Sequence, residues 1–447
     1  MGTSKTFSHD ISKTLSMQDR ALKRIPGLSQ LLSKRPDRFS LGVWPTYFSR
    51  AKGATVWDLD NNEYLDMSIA GIGANVLGYA DPDVDAAVLD AVSRGVSSSL
   101  NCPEEVELAD LLCELHPWAD MARFVRCGGE AMSVAVRIAR ARTGRDVVAF
   151  CGYHGWHDWY LAANVGAENA LGGHHITGLD PAGVPQGLAG TAYPFHYNKL
   201  EELEAIVEVH GEKLAAIVME SIRSAEPEPG FLEGVRKLAD RTGAVLIVDE
   251  VSAGLRLCTG GAHLKLFPQP PDMAVFSKAL GNGYAMAAVI GKADVMQAAQ
   301  KTFISSTNWT ERIGPVAALA TLRKHRDLDA ATRLVQLGTK VQQGWKRCAA
   351  EYGLEINVGG IPPLSHYGFA GKDALSLKAY FVQCMLDEGI LASTLYYAMY
   401  AHTDADVERY LDACGRTFAL LREAVDKGEL AQRLRGLPAA AGFGRLA

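Results

Sequence analysis

Lys278 follows the apolar run DMAVFS (272–277) and precedes ALGNG. A lysine at the end of a buried strand, flanked by serine and glycine, loses water around its amine and becomes less basic, which suits Schiff-base chemistry. Taken singly it reads more readily as a solvated loop lysine. Asp249, 29 positions upstream, changes that weighing because it ends a second apolar run, AVLIVDEV. A carboxylate at that depth needs a cationic partner, and a protonated pyridine nitrogen would supply one. A third stretch, RCGGEAMSVAVRIARARTG (126–144), runs from a strand end through Gly128 and Gly129 into a helix. Backbone N–H groups at a helix N-terminus, with the macrodipole behind them, bind phosphate, although an ordinary glycine turn is the plain alternative for this stretch alone. The next strand ends in CGYHGWHD, where Tyr153 is placed to stack on a flat heteroaromatic ring.

His154 and His157 stand three apart beside Asp158, a spacing that raises the question of a metal. The Gly155–Trp156 insert breaks a helical arrangement and no third ligand has matching spacing, so both read as satisfied loop histidines and no metal is expected.

Such residues need a scaffold that gathers strand ends. From about residue 81, helical apolar patterns alternate with short β-branched runs: ARFVRC (122–127), DVVAFC (146–151), LAAIVME (214–220), AVLIVDE (244–250) and DMAVFS. That alternation predicts an α/β domain with a mostly parallel sheet, whose ligands sit beyond the carboxyl ends of the strands. Upstream, WPTYFSRAKGATVWDLDNNEYLDMS alternates around a turn at Asp60, Asn61 and Asn62, a hairpin signal, and residues 1–40 read as a polar arm with one or two helices. After about 323 come a long charged helix, a short strand region near EINVGGIPPL and a terminal helix with Asp404 as its N-cap, followed by a fraying tail. The expected division is an N-terminal arm and strands over 1–75 that form part of a small domain, a large domain over 76–322, and a C-terminal α+β small domain over 323–447.

Length and composition agree with two domains: 447 residues, 48% hydrophobic and 21% charged, with a formal net charge of −6. Nothing in that balance points to nucleic acid or a membrane partner. The eight cysteines form no CxxC pairs, the N-terminus has no apolar signal core, and no apolar run approaches the roughly 20 residues of a membrane span, so a cytoplasmic location is expected.

The three motifs, in this order and spacing, resemble the class III (fold type I) aminotransferases, and within them the glutamate-1-semialdehyde aminomutase-like branch. The resemblance runs from about residue 40 to 425 and is strongest in RCGGEAMSVAVRIARARTGRDVVAFCGYHGWHD, LIVDEVSAGLR and FSKALGNGYAMAAVIGK. It implies a fold type I pyridoxal-phosphate transferase with a large mostly parallel-sheet domain and a smaller α+β domain. It also implies that Lys278 carries pyridoxal 5′-phosphate as a Schiff base and Asp249 holds the pyridine nitrogen. Val251 and Tyr153 flank the ring, Gly128 and Gly129 bind the phosphate, and Glu220 stands near the cofactor. Thr307, in SSTNWTERIG, would reach the phosphate of the neighbouring subunit's cofactor, making the functional unit a homodimer with shared sites. The activity implied is ping-pong transfer of an amino group from an amino acid donor to a carbonyl acceptor. An aminomutase or racemase on the same scaffold is the alternative, and a catalytically silent cofactor-binding protein a more distant one.

The departures bear on substrate. The phosphate motif reads Cys127-Gly128-Gly129-Glu130-Ala131 where the family usually has Ser-Gly-Thr-Glu-Ala, which removes two hydroxyls that Ser277 and Thr307 are expected to replace. Ser221 stands where a proline is usual. The aminomutases' carboxylate-holding arginine lies in an insert that LGVWPTYFSRAKGATVWD lacks, and Arg50 aligns with the following strand, which disfavours the aminomutase itself. The segment SSTNWTERIG resembles class III enzymes of sugar and polysaccharide pathways. Glu311 there reads either as a hydroxyl binder for a small aldehyde, ketone or sugar-like carbonyl, or as a carboxylate at a helix N-terminus. Trp44, Tyr396, Tyr397 and Tyr400 line the entrance in one reading and belong to the core in the other.

Overall fold

A computed structural model describes residues 9–174 and 177–442 and divides the chain into two units, one of residues 82–332 and one of residues up to 81 together with 333 onward. The boundaries therefore fall at 81/82 and 332/333, six and ten residues beyond those expected at 75/76 and 322/323. The second falls later because the helix Ile313–Asp327 belongs whole to the large unit.

In the small unit, β1 (Phe48–Lys52), β2 (Thr55–Asp58) and β3 (Glu63–Met67) form an antiparallel meander. The turn at Asp60–Asn62 lies between β2 and β3. Asp58 closes it by accepting from the backbone N–H of Asp60 and of Asn62, each at 2.9 Å, and Asn61 takes the left-handed conformation that asparagine tolerates.

The large unit carries seven strands: β4 (Met121–Val125), β5 (Val147–Cys151), β6 (Ala192–Pro194), β7 (Leu214–Glu220), β8 (Val245–Asp249), β9 (Met273–Phe276) and β10 (Ala287–Gly291). They form one sheet in the order β4-β10-β9-β8-β7-β5-β6, parallel throughout except for β10, which runs antiparallel to both neighbours. Helices cover both faces, so β7 reads as an unbroken apolar run, and all seven of its residues are buried. Its side chains still alternate. Ala216 and Val218 pack in the core that includes Ala131, Ala135 and Ile138 of the helix Gly128–Thr143. Ile217 and Met219 pack on the other face with Leu203 and with Val235 and Leu238 of the helix Phe231–Thr242. Burying each such side chain contributes roughly 1.5–3 kcal/mol, which fixes the strand register on which the site depends.

The remainder of the small unit contains β11 (Ile356–Gly359), β12 (Leu364–Phe369) and β14 (Leu395–Tyr397) in one antiparallel sheet, while β13 (Ile390–Ala392) joins β3 in parallel. The terminal helix Asp404–Asp426 is capped by Thr403 rather than Asp404. Thr403 Oγ1 accepts from Asp406 N at 3.1 Å, and the Asp406 carboxylate accepts in return from Thr403 N at 2.9 Å. Asp404, the first helical residue, pairs instead with Arg333 and Lys340. The tail is tied down as far as it is described, with Ala440 N donating to Asp37 O at 2.7 Å and Arg38 to Gly442 O at 2.7 Å. Residues 1–8 of the N-terminal arm and 443–447 of the tail lie outside the described residues. Among the described residues no helix is long and apolar enough to cross a membrane.

Candidate active site

Parallel register brings the candidate residues to one edge. On adjacent strands Glu220 of β7 stands opposite Asp249 of β8, and Met219 stands opposite Cys151 of β5. Asp249 in turn pairs with Val275 of β9, so Lys278 emerges three residues beyond that rung. The chain turns sharply there, and Lys278 takes a left-handed conformation with φ 47°. That strain costs roughly 1–3 kcal/mol and aims the side chain back across the strand ends.

The half-buried Lys278 amine donates to Ser252 Oγ at 2.7 Å. Arg223 donates to the same oxygen at 3.3 Å and grips Glu220 Oε1, at 2.8 Å from Nε and 2.6 Å from its terminal nitrogen. Burial, and after it the Arg223 charge, hold the lysine well below its usual basicity, at about 8, against the opposing pull of Asp249 and Glu220. About a tenth of the amine is therefore neutral and nucleophilic at pH 7, far more than for an ordinary lysine.

Asp249 is 3% exposed and has both oxygens engaged: Val251 N donates to Oδ1 at 2.8 Å, and His154 Nδ1 lies 2.7 Å from Oδ2. The other ring nitrogen of His154 faces the Cys151 carbonyl at 3.0 Å. His154 is thus more than a satisfied loop histidine, because from beyond the end of β5 it reaches past β7 to hold the Asp249 carboxylate at the end of β8.

At the helix Gly128–Thr143 the first glycine is required by space and the second is closely packed. A Cβ on Gly128 would stand 2.9 Å from Val251 Cγ1, and one on Gly129 would stand 3.3 Å from His157 Cδ2. Gly155, at φ +100°, approaches so closely that its Cβ would lie 2.9 Å from Gly129 Cα. The helix therefore begins with bare backbone beside Val251 and Ser277, which is what a phosphate site needs. Glu130 folds back from it, its Oε2 accepting from Arg126 N and Cys127 N at 3.0 and 3.3 Å and its Oε1 from Trp309 Nε1 at 2.9 Å. Ser277 does not supply a lost hydroxyl donor, because its proton is committed to Met286 O at 3.0 Å.

Tyr153 is half-buried at the end of β5, with its N–H toward Glu220 Oε2 at 3.4 Å, and burial raises its pKa. Thr307 is exposed on a short turn, Thr307–Thr310. Glu311 is not free to bind hydroxyls. It forms an ion pair with Arg126 at 2.9 Å and accepts from Ile313 N and Gly314 N at 2.7 and 3.0 Å, capping the helix Ile313–Asp327. Trp44 is 8% exposed and stacks on Phe39 at 4.0 Å, and Tyr396 is fully buried beside His402, so both belong to the core of the small unit. Tyr397 and Tyr400 are partly buried. Ser221 is fully buried, and its replacement of the usual proline has no explanation in the structure. Ser252, Arg223 and His154 are the partners that the sequence pattern did not assign. Among the described residues no group of three His, Cys, Asp or Glu is arranged to hold a metal.

A desolvated lysine, a buried carboxylate on the next strand and a glycine cradle at a helix N-terminus fit one group, a phosphorylated pyridine aldehyde. These features define a pyridoxal-phosphate-dependent enzyme of fold type I. The family model for aminotransferase class-III matches residues 41–395, and the chain belongs to that family. It is 33% identical over 430 residues to the 3-aminobutyryl-CoA aminotransferase of Cloacimonas acidaminovorans (strain Evry), covering 92% of this chain and 98% of that one. It is 34% identical over 403 residues to the glutamate-1-semialdehyde 2,1-aminomutase of Anaeromyxobacter dehalogenans (strain 2CP-1 / ATCC BAA-258), covering 85% and 92%. Among solved structures, the internal aldimine form of the FumI protein of Sphingopyxis sp. MTA144 superposes with a TM-score of 0.84 at 25% identity, over 95% of this chain and 98% of that one. The protein is a class III transaminase, and its cofactor is pyridoxal phosphate.

Proposed function

We propose that this chain takes an amino group from an amino acid donor and passes it to a small aldehyde, ketone or sugar-like carbonyl by a ping-pong mechanism, acting as a cytoplasmic homodimer with shared sites. One observation carries the reading: the Lys278 amine, of lowered basicity, lies on the same edge as an Asp249 carboxylate locked by His154. Bound pyridoxal phosphate supplies the carbonyl that the lysine captures and the electron sink that acidifies the donor's α-carbon. Lys278 Nζ would hold the cofactor and, when freed, carry the donor's α-proton. Asp249 would hold the pyridine nitrogen in its protonated form, and His154 keeps Asp249 oriented. Val251 and Tyr153 would flank the ring, Gly128 and Gly129 would offer their N–H groups to the phosphate, and Glu220 positions Arg223.

The shared site is supported by the surface around Thr307. Phe303 is 84% exposed and Trp156 70%, and a cavity of about 670 Å³ opens between Trp156, His157, Phe303 and Trp309. Apolar exposure of that kind marks a surface that meets a partner, and a second copy would cover it while bringing Thr307 to the other cofactor.

Mixing the holoenzyme with L-glutamate and no acceptor tests the proposal. The expected result is one equivalent of oxo acid and loss of the visible band of the lysine-bound cofactor, restored on adding a carbonyl acceptor. Conversion of a single substrate without any keto acid would favour the aminomutase or racemase, and no exchange with a broad donor panel would favour a silent binding protein.

A further inference from the structure

The arginine expected for a substrate carboxylate is not supplied by Arg50, whose guanidinium lies over the Trp57 ring at 4.0 Å within the small unit. A different cation stands beside the reacting amine. Arg223 lies three residues past β7, and its guanidinium reaches the Ser252 hydroxyl that also receives the Lys278 amine. It also grips Glu220, a carboxylate whose side chain is only 8% exposed, whereas the Arg223 side chain is 23% exposed. The buried partner holds the guanidinium beside the hydroxyl that receives the reacting amine.

We infer that Arg223 determines donor specificity by binding the carboxylate of the amino donor, so that an amino acid is preferred over a simple amine. The inference rests on the transaminase reading and deepens it. An amino acid carries its α-carboxylate one carbon from the amine that must reach the position of Lys278, so the carboxylate falls within a few ångströms of that nitrogen. Arg223 is one hydroxyl away from the same point. A guanidinium matches a carboxylate in plane and spacing and forms charge-assisted hydrogen bonds. Its charge already acts on Lys278, where it is the largest influence after burial in lowering the amine's basicity. A purely structural role, bracing Glu220, would instead make every donor suffer alike.

The test compares holoenzyme of the wild type, Arg223→Lys and Arg223→Gln, with L-glutamate and the carboxylate-free isopropylamine as donors. Arg223→Gln is expected to lower the ratio of kcat/KM for glutamate over isopropylamine by about 10- to 100-fold, with Arg223→Lys falling less. As a second measurement, glutarate, which has carboxylates and no amine, is titrated against the visible band of the bound cofactor. Its dissociation constant should rise by a similar factor in Arg223→Gln. An unchanged donor ratio, or unchanged glutarate binding in a variant that retains the visible band, overturns the inference. Absence of amino transfer from any donor in the wild type overturns the transaminase reading instead, and this inference with it.

Discussion

Two parts of the large unit hold charged and exposed groups in opposite ways. At the ends of β5, β7 and β8, Asp249, His154, Glu220 and Arg223 answer one another within the chain, at distances of 2.6–2.8 Å. In the segment 303–311 the backbone is held instead. Arg137 donates to Phe303 O at 3.2 Å, and Arg126 donates to Trp309 O and Glu311 O at 3.0 and 2.7 Å. Its side chains at Phe303 and Thr307 face outward. The strand-end cluster is paired within one chain, whereas the 303–311 segment is an arm anchored through its backbone that leaves the Phe303 and Thr307 side chains exposed. An exposed tip on anchored backbone is what the proposed second copy would meet.

Breaking the strand-end cluster should have the largest effect on rate. Asp249→Asn removes the charge that would stabilise a protonated ring nitrogen, and a loss in kcat on the order of 100- to 1,000-fold is expected in steady-state assays with the cofactor still covalently held. Breaking the arm should act first on stability. Arg126→Met leaves Glu311 without its ion pair and strips donors from two carbonyls, so urea denaturation should show a loss of about 2–3 kcal/mol. Thr307→Ala sharpens the comparison, because it removes a tip hydroxyl without touching the arm's anchors. The fold should keep its stability while cofactor affinity, read by equilibrium dialysis, falls about tenfold. The mildest effect is that of pH. Capture of pyridoxal phosphate by the apo-protein needs the neutral amine, so its rate should rise through pH about 8 and level off above it. In Arg223→Gln the rise should move to higher pH, since a cation that suppresses protonation has gone.

How much of this was legible in the sequence differs between the two regions for a physical reason. The cluster sits on strands whose apolar runs mark their own ends, so Lys278 and Asp249 were placed by the residues themselves and Glu220 by the family resemblance. Register then did the rest, because parallel pairing brings Glu220 level with Asp249. The orientation of His154 was not legible, since it depends on a turn at Gly155 packed against Gly129. The commitments of Ser277 and Glu311 were hidden as well. Each is fixed by a partner that follows from tertiary packing and not from periodicity: Met286 for the serine, Arg126 for the glutamate. Trp44 and Tyr396 show the same limit for aromatic residues, whose spacing does not distinguish a lined entrance from a packed core. The fold class was legible throughout, because alternating helical and strand patterns leave few arrangements that bury both faces of a sheet.

The central claim is that Lys278 is the residue that carries the cofactor. Reducing the holoenzyme with sodium borohydride, digesting it and mapping the pyridoxyl label by mass spectrometry tests this most directly. The account predicts one labelled lysine per chain, Lys278, and no label in Lys278→Ala treated in the same way. A label on any other lysine, or its persistence in that variant, would contradict it.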